Sequence, residues 1–214
     1  PLEIDYPQNE DGYPLQLIAQ INFAELPDNE LYPKTGILQF YIDAQDDVWG
    51  LNFEDQCDQT GFRVLYHEHV LQDENQLHQF DENWENEQFD QSPISGEYAI
   101  SFHIEQQFIS LVDKNFAKQI LLEENLYESE KIGDEDYDAY TQLIDSSGHR
   151  LGGYPFFTQE DPRHGQTEDY VLLLQLDTEE HDDIDIMWGD LGVANFFIHP
   201  EDLKNKDFSK VMYN

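Results

Sequence analysis

Positive charge is scarce in this 214-residue chain: ten Lys and Arg stand against 47 Asp and Glu, for a formal net charge of −37. A phosphate backbone would be repelled over most of such a surface, which excludes nucleic-acid binding, and an anionic membrane face is disfavoured for the same reason. No apolar run approaches the length a membrane-spanning helix needs. Cys57 is the single cysteine, so no intrachain disulfide and no thiolate metal cluster can form, as suits a reducing cytoplasm. Asp55 and Asp58 flank it and disfavour the thiolate, so it makes a poor nucleophile. Also missing are a G-x-S-x-G elbow, a phosphate-binding loop, a dinucleotide fingerprint and an EF-hand loop. The sequence therefore implies no cofactor and names no catalytic residue. The chain opens at Pro1 without methionine and stops at Asn214 directly after an apolar run, so trimmed ends are expected.

Aromatic residues, by contrast, are plentiful. Fourteen Phe, twelve Tyr and three Trp can fill a sizeable core, which argues against the disorder that the charge alone would suggest. Residues 13–23 (YPLQLIAQINF) alternate apolar and polar, the period of a half-buried strand. Runs at 37–42, 48–53, 62–70 and 98–104 carry β character as well, with spacings that suit an antiparallel meander. Between them, 71–95 reads as a polar surface excursion held by Phe80, Trp84 and Phe89.

The period then changes. Residues 113–123 and 134–144 fit amphipathic helices, with Gly148 placed to terminate the second. Strand character returns at 169–177, 184–188 and 193–198, and Pro200 opens a short helix. The order of signals also repeats: GYP at 12–14, LIAQINFAE at 17–25 and GILQFYID at 36–43 are followed by GYP at 153–155, LLLQLDTEE at 172–180 and GVANFFIH at 192–199. The expected fold is α+β, mostly antiparallel β, one domain over 1–214. It is built as a β-rich repeat at 12–104, a helical insert at 111–146 and a second β-rich repeat at 153–214.

Two of the three arginines lie in 147–163 (SGHRLGGYPFFTQEDPR) with three glycines and two prolines. Gly148, Gly152 and Gly153 permit an unusual backbone path on which His149, Arg150, Gln159, Asp161 and Arg163 could converge on a polar ligand. The competing reading is structural: arginines in an acidic protein find carboxylates, and Gly and Pro shape a long connection. His67 and His69, two apart on a strand, could face one ion, but no third ligand is fixed by spacing, so no metal site is expected.

The segments LIAQINFAELP, GILQFYID, SGHRLGGYPFFTQEDPR, LLLQLD, MWGDLGVANFFI and DFSKVMYN together resemble the YwqG-like bacterial proteins, a family of unknown function. The resemblance implies a cytoplasmic α+β protein with no established activity. Positions matching the family's motifs are His149, Arg150, Gly153, Tyr154, Gln159, Asp161, Arg163, Gln175, Trp188, Asp190 and Asn195, and these are the expected lining of a shared site. Two functions follow as expectations. One is a non-enzymatic binding protein whose acidic surface steers a basic protein partner. The other is a small-ligand receptor or enzyme using the 149–163 loop beside Trp188 and Asp190. Nothing in the pattern specifies an oligomeric state.

Overall fold

The computed structural model describes residues 1–80, 89–121, 133–164, 169–181 and 183–214. In chain order the strands are β1 (Gln16–Asn22), β2 (Ile37–Ile42), β3 (Phe62–His67), β4 (Val171–Asp177), β5 (Glu179–His181), β6 (Ile184–Ile186), β7 (Val193–Ile198) and β8 (Met212–Tyr213). The helices are α1 (Asp134–Leu143) and α2 (Pro200–Asn205). Two three-stranded antiparallel sheets form, in the orders β1-β2-β3 and β4-β7-β8, and β5-β6 make a small hairpin. The protein is thus α+β with antiparallel sheets and few helices.

Alternation explains the first sheet. Ala19 and Ile21 of β1 and Leu38, Phe40 and Ile42 of β2 are buried, whereas Gln20 is exposed. Strand β4 differs because both of its faces are covered, so Leu172 to Asp177 are buried without a break. The sheets share one apolar cluster in which Phe40 lies 5.0 Å from Phe196, Phe62 5.2 Å from Tyr213, and Phe196 stacks on Tyr213 at 4.7 Å. Helix α2 closes as its sequence dictates. His199 Nδ1 accepts from the Glu201 N–H, Pro200 occupies the first turn, and Lys206 adopts φ 59° to end it.

The two ladders share one register. Every β1–β2 pair becomes a β4–β7 pair when 155 is added to the β1 number and 156 to the β2 number, so that Gln20↔Gln39 maps to Gln175↔Asn195 and Asn22↔Ile37 to Asp177↔Val193. The irregularities correspond too, falling between Leu17 and Ala19 in one ladder and Leu172 and Leu174 in the other.

Three expected elements are absent or altered. Residues 48–53 form no strand, because Asp46 accepts from the N–H groups of Val48 and Gly50 and Trp49 turns to φ 53°. Residues 98–104 form none either: Tyr98 and Phe102 pack on the core while Ile100 and Ile104 face solvent, a sequence no flat strand can satisfy. Of the helix expected from 113, the described residues form a π-helical turn at Ala117–Leu121, and Asp113 is buried against Arg163 instead of opening a helix there. The end of that expected helix, Trp84 and the insert's stretch 122–132 lie outside the described residues. Helix α1 ends at Leu143, short of Gly148, whose φ of 88° serves the loop that follows.

Candidate functional site

Residues 146–156 form a strap across the free edge of β4, and side chains of the second sheet hold it. Gln175 is wholly buried. Its Nε2 donates to the carbonyls of Ser146 (3.0 Å) and Gly148 (2.7 Å), and its Oε1 accepts from the Phe156 N–H (2.7 Å). Asn195 Nδ2 donates to the Phe156 carbonyl at 2.9 Å. The strap's own backbone joins β4, with Arg150 N–H to Gln175 O at 3.0 Å and Gln175 N–H to Arg150 O at 2.8 Å. His149 completes the edge: its Nδ1 accepts from the Asp177 N–H (3.1 Å), so Nε2 carries the proton and donates to Glu179 Oε2 (2.8 Å).

Further along, Gln107 clamps Tyr154 at both backbone groups, accepting its N–H and donating to its carbonyl, each at 2.7 Å. This close approach requires Gly153, whose φ is 75° and where a Cβ would lie 2.4 Å from Gln107 Oε1.

Between the strap, residues 26–32 and residues 101–107 opens a cleft of about 420 Å³. His149, Arg150, Gly153 and Tyr154 line it, joined by Asn29, Tyr32, His103 and Glu105. Tyr32 Oη donates to the Leu173 carbonyl (2.8 Å), and burial holds its hydroxyl firmly in the protonated form. Arg150 donates through Nη2 to the Ser147 carbonyl, while its buried Nε has no acceptor among the described residues.

The remaining expected residues sit elsewhere. Arg163 and Asp161 are buried beneath the strap with Asp113, where Arg163 Nη2 meets both carboxylates at 2.7 Å, Nε meets Asp161 Oδ1 at 2.9 Å, and Nη1 donates to Tyr170 O. The guanidinium also lies 4.9 Å from the Phe197 ring centroid and 5.8 Å from that of Phe157. Burial alone would raise the Asp161 pKa, but hydrogen bonds and charge from Arg163 outweigh it and hold the carboxyl below its ordinary value. Burial likewise opposes the charge on Arg163, and Asp161 and Asp113 more than compensate. This cluster is paired and buried in the interior, away from the cleft's lining. Gln175 and Asn195 support the strap from below.

Trp188 packs in the main core 5.3 Å from Trp49, Asp190 stands exposed in the turn between Gly189 and Leu191, and Gln159 is exposed. Reasoning from sequence missed Gln107, Asn29 and Tyr32, which no motif marks. His67 Nε2 lies 2.9 Å from Gln39 Oε1, β3 ends at His67 so that His69 lies beyond the strand, and among the described residues no group of three or more His, Cys, Asp or Glu could hold a metal ion. Nor, among them, is any helix long and apolar enough to cross a membrane.

A comparison with curated proteins finds no match. The model of the family described as Domain of unknown function (DUF1963) matches residues 1–214, and the chain belongs to that family.

Proposed function

We propose that the chain is a non-enzymatic binding protein whose acidic surface steers a basic protein partner. The observation that carries this reading is the placement of charge. The buried carboxylates among the described residues are Asp43, Asp113, Asp161 and Asp177, and Arg163 neutralises two of them, so the other carboxylates whose burial is described reach solvent at least in part. The side chains of Gln175, Asn195 and Gln107 are engaged in holding the strap's backbone. A lysine-rich polypeptide titrated against the protein tests the reading: its affinity should fall steeply between low and physiological salt and survive Arg150→Ala. Salt-independent affinity, or no association at low salt, defeats it.

One observation favours a second reading, a small-ligand site in the cleft, namely the buried Arg150 Nε without an acceptor. A melting panel of carboxylates and phosphates against sodium chloride at matched ionic strength separates the two. A rise with one compound alone, lost in Arg150→Ala, supports the cleft.

Internal duplication belongs to the same proposal and is supported by the common register of the two ladders. So do a single domain over 1–214, supported by the shared core cluster, and the helical insert, supported by α1. The YwqG-like, bacterial naming rests on the GHRLGGYPFFTQEDPR and WGD segments, and a cytoplasmic setting on the single cysteine.

A further inference from the structure

The two matched ladders differ at their outer edges. In antiparallel pairing, alternate residues turn their N–H and C=O away from the partner strand. The bonds Phe23 N–H to Gly36 O (2.9 Å) and Thr178 N–H to Gly192 O (3.3 Å) fix that parity in each ladder, and it places Gln20 and Asn22 of β1, like Gln175 and Asp177 of β4, with these groups pointing outward. On β4 both outward N–H groups are taken, that of Gln175 by the Arg150 carbonyl and that of Asp177 by His149 Nδ1. On β1 neither Gln20 nor Asn22 makes an outward backbone hydrogen bond to any described residue, and the Gln20 side chain turns to Gln39 instead (2.6 Å). Gln20 is exposed, and the strand is otherwise regular from Ala19 to Asn22.

We propose that this open edge of β1 receives an extended, basic segment of a partner protein as an added strand. The inference rests on the basic-partner reading above and names its mode of binding. A free, regular edge is normally blunted or covered, and strand addition is its commonest use in recognition. The occupant's chemistry is argued from two features. The internal strap that covers the matching edge of β4 brings the guanidinium of Arg150 with it, and its histidine meets Glu179. At the end of the β1 edge, Asn22 Nδ2 donates to Glu25 Oε1 (2.7 Å), leaving the rest of an exposed carboxylate beside the incoming chain. A second copy carries the same charge of −37 and is repelled at this edge, whereas a cationic strand is attracted.

The test uses the full chain and an acetylated, amidated peptide of alternating Lys and Val, with the Glu-Val peptide as control, in low salt. Amide hydrogen exchange is read residue by residue. The expected result is that saturating Lys-Val peptide slows exchange at Gln20 and Asn22 by about tenfold or more, leaves the already bonded Gln175 unchanged, and that the Glu-Val peptide does nothing. Gln20→Pro removes one outward N–H that the ladder does not use, a substitution edge strands accept, and should weaken the peptide by about tenfold with the melting temperature held within a few degrees. If Gln20→Pro unfolds the chain, the exchange pattern of the native protein still decides. Binding without protection at Gln20 and Asn22 overturns strand addition and leaves the basic-partner reading standing. Absence of any binding overturns both. Protection that rises with protein concentration alone places a second copy on the edge and overturns the proposal.

Discussion

Phe40 and Phe196 occupy the same register position in the two sheets and meet each other, with ring centroids 5.0 Å apart. Both are wholly buried in the cluster that the two sheets share. Phe40→Ala and Phe196→Ala should therefore cost similar amounts, each about 3–5 kcal/mol. The double variant should lose measurably less than the sum, because the two share a contact. Urea unfolding of the three variants checks both statements.

Arg163 and Arg150 are 13 positions apart and should respond in opposite ways. Arg163→Met leaves Asp113 and Asp161 buried without a counter-charge, an expected loss of about 3–5 kcal/mol. Arg150→Met gives up a bond to one carbonyl and should cost no more than about 1 kcal/mol. Arg163→Lys should fail to restore stability, since one ammonium cannot reproduce contacts that leave the guanidinium in several directions. Thermal melts of the three proteins decide it.

Acid should destabilise the protein through Asp161. Its folded-state pKa lies below the unfolded value, so the unfolded chain binds the proton more readily. The stabilisation is fully present above the ordinary Asp pKa of about 3.9 and is lost as the pH falls through the lower, folded-state value. Stability measured from pH 5 downward should drop across that window, and Asp161→Asn should flatten that part of the curve from a lower starting point.

Gln175 makes three side-chain hydrogen bonds to the strap. Gln175→Leu keeps the volume but leaves the Ser146 and Gly148 carbonyls and the Phe156 N–H short of a partner, an expected loss of about 2–4 kcal/mol. Exchange at the Phe156 amide should accelerate by a larger factor than at core amides of β7. Equal acceleration at both would show that the strap and sheet open together.

Strands β2 and β7 could be read residue for residue because in each a β-rich apolar run directly follows a glycine, Gly36 and Gly192. Residues 48–53 and 98–104 carry the same composition but not the same fate. Asp46 folds the first into a turn, and the second splits its apolar side chains between core and solvent. The loop at 147–163 was legible as unusual, but its residues divide between two places in the fold. Arg163 and Asp161 serve the interior, while His149, Arg150, Gly153 and Tyr154 reach the cleft. Local sequence cannot separate these fates, because what distinguishes Arg163 is Asp113, fifty positions away.

By itself the sequence determined the antiparallel α+β class, the net charge and the matched order of signals in the two halves. These follow from period, composition and turn residues, which act over a few positions. Only the tertiary structure decided which strand edge is covered and which is open. Gln20 and Gln175 look alike in sequence, and they differ because the chain before Gly153 passes close enough to β4 to share its hydrogen bonds, while no described segment does so for β1.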